Sequence, residues 1–155
     1  MLKIVLHPNE ILRKKSINIK EEEISKPEFK KLLKEMTETM ITKDGAGLAA
    51  PQIGKNIRLI VVNNQDKAIV MINPEITKKS WAKEIEPEGC LSVLNDKGEI
   101  YFLPVVRNKR INCVYLDKNG KKQKIVAKDL LARIIQHEVD HLDGILFIDK
   151  AIKEK

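Results

Sequence analysis

Residues 128–143 are the stretch whose pattern fixes both a secondary structure and a chemistry. Leu130, Leu131, Ile134, Ile135 and Leu142 recur at helical spacing, and Gly144 follows where a C-terminal cap belongs. Inside that helix lies Gln136-His137-Glu138-Val139-Asp140-His141. Two imidazoles four residues apart project from one face and can reach a single metal ion. The bland alternative is a solvated polar face. Against it, the preceding turns are apolar, so the polar cluster continues a helix expected to be buried. Unpaired buried charge is costly, and a bound divalent cation would offset that cost.

A hydrolytic metal site takes three protein ligands and keeps one position open for water. The run His141-Leu142-Asp143-Gly144 imitates the opening of a longer metalloprotease pattern, but Phe147 stands where its third histidine should be. No histidine follows His141, and the downstream acids are Asp143, Asp149 and Glu154. The missing ligand is therefore expected upstream, where His7, Cys90 and Cys113 are the candidates. Cys113 sits among apolar strand residues and reads as a small core side chain. Cys90 follows a glycine in the turn-like Glu86-Pro87-Glu88-Gly89-Cys90-Leu91-Ser92.

The rest of the chain reads as a single α+β domain over residues 1–155. Ser25 and Glu28 have capping-box spacing with Pro27 in the first turn, and Phe29, Leu32, Leu33, Met36 and Met40 then form one apolar helix face. Asp44-Gly45-Ala46-Gly47 predicts a loop whose glycines allow unusual backbone shapes and close approach of another chain. Residues 57–63 and 68–72 predict strands, the second broken by Asn73-Pro74, and residues 111–116 and 123–126 flank an Asn119-Gly120 hairpin signal. The expected architecture is mainly antiparallel sheet packed around the C-terminal helix that carries the His-Glu-x-x-His motif.

Charge and composition exclude some classes. The formal net charge is +7, from 29 basic and 22 acidic residues. Residues 105–124 hold seven basic side chains against one acid, Asp117, and read as a solvated hairpin face. Three Phe, two Tyr and one Trp are too few for the stacking platforms of a single-strand binder, so no dedicated nucleic-acid site is expected. Charges interrupt every hydrophobic run, so no membrane span is expected, and two cysteines with no apolar leader point to the cytoplasm.

Three stretches together resemble one family, the peptide deformylases: Gly45-Ala46-Gly47-Leu48-Ala49-Ala50-Pro51-Gln52, Glu88-Gly89-Cys90-Leu91-Ser92, and Gln136 to Gly144. The resemblance extends to His7-Pro8 through Leu12-Arg13, to Met71-Ile72-Asn73-Pro74 and to Gly144-Ile145-Leu146-Phe147. It implies Cys90, His137 and His141 as ligands of one divalent metal, usually ferrous iron, with zinc, nickel or cobalt as substitutes. It implies Glu138 as the proton carrier, and the Gln52 amide and Leu91 N–H as donors to the oxyanion. Backbone at Gly47 and Gly89 would bind the substrate, an N-formylmethionyl nascent peptide met through transient ribosome association. Ala46 stands where the family commonly has a larger aliphatic residue, which implies a roomier subsite. Residues 93–104 lack the expected proline and compact turn and read as a longer loop. Two competing functions make separate predictions: a zinc endopeptidase on His137, Glu138 and His141 would not need Cys90, and a silent deformylase-like binding protein would release no formate.

Overall fold

The computed structural model describes residues 1–153. A 3-10 turn at Glu10–Arg13 is followed by α1 (Glu21–Ile24), α2 (Pro27–Thr42), β1 (Gly47–Ala49) and a second 3-10 turn at Ala50–Ile53. Then come β2 (Leu59–Asn64), β3 (Lys67–Lys79), β4 (Lys83–Glu88), β5 (Leu103–Asn108), β6 (Arg110–Leu116), β7 (Lys122–Lys128), α3 (Asp129–Leu142) and α4 (Phe147–Lys150). Five strands form an antiparallel sheet in the order β1-β2-β3-β6-β7, while β4 and β5 pair as a separate ribbon. The α+β expectation holds, and α3 is the element that the sheet and the ribbon share.

The run Leu59-Ile60-Val61-Val62 is continuously apolar because β2 is covered on both faces. Leu59 and Val61 join the cluster under α2, with Phe29, Leu33, Met36 and Met40. Ile60 and Val62 join the cluster under α3, with Ala132, Ile135, Val139 and Leu142. Each such buried side chain contributes about 1.5–3 kcal/mol. The β2–β3 connection is a two-residue turn, Gln65-Asp66, with both φ values positive (51° and 66°), as a hairpin of matching twist requires.

Several local expectations are corrected. No side chain caps α2: its N-cap is Lys26, and Ser25 is in the αR region at the end of α1, whereas a capping serine needs extended backbone. Pro27, with its φ preset, starts the helix instead. Asn73-Pro74 does not end its strand. Asn73 takes φ +50° and the register with β6 slips between Ile72 and Glu75, so the pair forms a bulge that tolerates proline. The Asn73 side chain accepts from Ile19 N–H (2.8 Å) and donates to Ile19 C=O (2.9 Å).

Residues 93–104 are no open loop either. Asn95 accepts from Lys97 and Glu99 N–H, Gly98 takes φ +76°, and Leu94 bridges Ile100, which folds the segment into a tight hairpin. Leu130, expected in the core, is 68% exposed. It lies on the helix side that carries Ile134 and Glu138, and all three line a cavity. Gly144 caps α3 as expected, with φ +74°, and a Cβ there would collide with the Arg13 backbone.

Candidate active site

The i, i+4 spacing on α3 brings His137 and His141 together, ring centroids 5.1 Å apart, and the segment following β4 delivers Cys90 to them. One donor atom from each of Cys90, His137 and His141 lies within 4.8 Å of the others, and Cys90 Sγ is 3.4 Å from His141 Nε2. Burial, reinforced by the neighbouring His137, holds His141 well below the usual imidazole range, so it is the neutral form that binds metals. His137 is pushed the other way, up to about 10: burial opposes its charge, but Cys90 and Glu88 outweigh that cost. Positive charge is therefore favoured at His137 and disfavoured at His141. One sulfur and two imidazole nitrogens are a donor set for iron, zinc, cobalt or nickel. The other upstream and downstream candidates are elsewhere. His7 is exposed, Asp143 pairs with Arg58 (3.0 Å) and Asp149 pairs with Arg13 (2.5 Å). Glu154 lies outside the described residues.

Behind the donors stands a charged network that the sequence reading missed. Glu88 accepts from His137 Nδ1 (2.8 Å), from Arg107 Nε (2.9 Å) and Nη2 (3.0 Å), and from Arg133 Nη1 (2.6 Å). Burial works against its ionisation, yet hydrogen bonds from His137 and Arg107 hold the Glu88 carboxyl well below the usual carboxylate range. The bond to Nδ1 orients the His137 ring and leaves Nε2 to face Cys90. Arg107 also meets Asp140 (2.5 Å), which Lys150 reaches at 3.0 Å. Arg107 is only 3% exposed, so the basic segment 105–124 is not wholly solvated as expected: its lysines are, its first arginine is not.

On the open side of the donors is a cavity of about 320 Å³, lined by Ala46, Gly47, Gln52, Gly89, Cys90, Leu91, His137 and Glu138. His141 seals the cluster from behind, 1% exposed. Gln52 is oriented by three contacts: its carbonyl accepts from Ala49 N–H (2.9 Å) and its Nε2 donates to Ser92 Oγ (3.1 Å) and Cys90 Sγ (3.5 Å). Glu138 is 4% exposed, and its Oε2 has no hydrogen-bond partner among the described residues. Burial pushes its carboxyl up to about 7. Gly47 is explained by space rather than by unusual backbone, since a Cβ there would stand 2.7 Å from Glu138 Oε1. Positive φ in this loop belongs to Asp44 instead.

A buried Cys/His/His donor set beside an unpartnered carboxylate, facing a cavity, defines the class as a metal-dependent hydrolase. The family model described as polypeptide deformylase matches residues 1–155. A peptide deformylase of Symbiobacterium thermophilum is 47% identical over 97% of this chain and 66% of its own length. That of Syntrophomonas wolfei is 43% identical over 98% of this chain and 94% of its own. The actinonin-bound class I type b peptide deformylase of Acinetobacter baumannii superposes with a TM-score of 0.90 at 34% identity, covering 98% of this chain and 99% of that one. The same enzyme has also been solved bound to Met-Ala-Ser, with a TM-score of 0.88 at 34% identity over 97% and 98% of the two chains. The chain belongs to the polypeptide deformylase family.

Proposed function

We propose that residues 1–155 form one catalytic domain that hydrolyses the formyl amide of N-formylmethionyl nascent peptides and releases formate. The observation that carries this reading is the meeting of Cys90, His137 and His141 beside Gln52 and Glu138 at one cavity. Cys90, His137 and His141 would hold one divalent metal, ferrous iron in the cell, with zinc, nickel or cobalt as replacements. When bound, that metal supplies Lewis acidity, polarising the formyl carbonyl and lowering the pKa of water.

Glu138 takes the proton of the attacking water and returns one to the departing amine, and its burial tunes it for both directions. As the formyl carbon becomes tetrahedral, the Gln52 amide and the Leu91 N–H donate to the oxyanion. Gly47, Ala46 and Gly89 border the peptide, and the small Ala46 leaves room beside it. Glu88 holds the His137 ring, with Arg107 and Arg133 compensating its buried charge. The setting is the cytoplasm, where transient contact with the ribosome would present the substrate. No helix among the described residues is long and apolar enough to cross a membrane.

Purified chain loaded with iron or nickel is expected to release formate from formyl-Met-Ala-Ser, and no release would refute the reading. Gln52→Ala should lower kcat about 10²–10³-fold, the cost of one oxyanion donor elsewhere. A change confined to KM would move Gln52 from the transition state to ordinary substrate binding.

A further inference from the structure

The β4–β5 ribbon buries Glu88 and Arg107 beside Val105 on its inner side, while its outer side shows apolar residues to water. Pro87↔Pro104 and Ile85↔Val106 are cross-strand pairs two residues apart, so all four side chains share one face. Ile85 is 57% and Val106 38% exposed, and both prolines are exposed as well. This apolar face begins at the cavity, which Pro87 and Phe102 both line.

Phe102 is 65% exposed yet firmly placed. Its ring edge and the Ile100 methyl would stand 3.0 Å and 2.9 Å from a Cβ at position 89, so both rest against the bare Gly89 backbone. Between them, Tyr101 is anchored on Phe147, with ring centroids 6.1 Å apart. A contiguous exposed apolar surface held this way marks a binding site.

We infer that the outer face of the β4–β5 ribbon, with Phe102 at its cavity end, reads the residues that follow the formylated methionine and favours apolar side chains there. The inference rests on the deformylase reading. Its occupant follows from continuity: a cavity of about 320 Å³ holds the peptide's end, and the remainder must leave across its mouth. An extended chain advances about 3.3 Å per residue, so the two cross-strand pairs span the reach of two to three residues.

The test compares kcat/KM, by formate release, for formyl-Met-Ala-Ser-Ala-Ser and for two analogues with leucine at positions two and four or at positions three and five. One leucine peptide should exceed the serine peptide about tenfold, mainly through KM, the scale of modest apolar contacts. In Phe102→Ser and in the double variant Ile85→Ser/Val106→Ser, that advantage should fall below about twofold. Ile41→Ser, exposed on α2 away from the ribbon, should keep the full advantage. Equal rates for all three peptides with the unaltered chain, or an undiminished advantage in the ribbon variants, would overturn the inference. So would a dimer that the double variant dissociates without altering selectivity, which would assign the face to a second copy. Formate from none of the peptides would instead refute the deformylase reading itself.

Discussion

Glu138→Ala protein should retain one metal ion per chain and release formate about 10²–10⁴-fold more slowly, the range typical of a lost general acid–base group. Glu138 lies beside the donor cluster but is not part of it, so on the proposed mechanism its removal takes away the proton carrier and no ligand. The environment suits the task. Burial pushes the carboxyl up to about 7 against the pull of His137, near the pH at which a base can both accept and return a proton. Its Oε2 is buried without a protein partner, while its other oxygen and its stem pack where a Gly47 side chain would otherwise be. Glu138→Gln separates chemistry from packing, because the amide fills the same space and cannot carry the proton. It should lose as much rate as alanine does. Near-normal activity in the glutamine variant, or loss of stoichiometric metal in either variant, would show that Glu138 is a packing residue or a ligand.

The donor helix was legible in the sequence because its signals agree: helical period, imidazoles at i and i+4, and a glycine at the cap. The apolar run of β2 and the β6–β7 hairpin were legible for similar local reasons. Elements that depend on distant partners were not. The β4–β5 ribbon turns Glu88 and Arg107 inward beside Val105 and leaves Ile85, Pro87, Pro104 and Val106 facing outward, which defeats a reading based on hydrophobic burial. Its inner polar residues are satisfied by α3, where Arg133 also donates to the Val105 and Glu84 carbonyls at 2.9 Å.

For the site the division falls in the same place. Gln52 and Leu91 were named, and Cys90 was chosen among the candidate ligands, through resemblance, since a lone cysteine and a lone glutamine carry little local signal. Glu88, Arg107 and Arg133 were missed although two of them had a clue. Arg133 stands four residues before His137 on the same helix face, and Glu88 two residues before Cys90. Arg107 had none: in a segment with seven basic residues, only the fold distinguishes the one that is buried and paired.

Cys90→Ser should lose both tight metal binding and deformylation, whereas Cys113→Ser should keep both. The two cysteines are both buried and free, and only their surroundings separate them. Cys113 lies in the sheet core, where burial pushes its thiol up to about 11, so it remains a neutral apolar filler. Cys90 faces two imidazoles and takes hydrogen bonds at its sulfur from Gln52 Nε2 (3.5 Å) and Ser92 N–H (3.4 Å). As a thiolate with two neutral imidazoles it would leave a divalent ion a net charge of about +1, enough to activate water, and its softness disfavours magnesium and calcium. Serine would replace an anionic ligand by a neutral hydroxyl. The same sulfur would make an iron-loaded site fragile, because a thiolate beside ferrous iron is open to oxidation by oxygen. Iron protein prepared without air should therefore be highly active and decay on exposure. Nickel or cobalt protein should keep comparable activity and survive, and zinc protein should be slower. Metal content and formate release, measured side by side in the two cysteine variants, decide whether Cys90 is a ligand: an active, metal-loaded Cys90→Ser protein would refute the three-ligand site and leave His137 and His141 as sufficient protein donors.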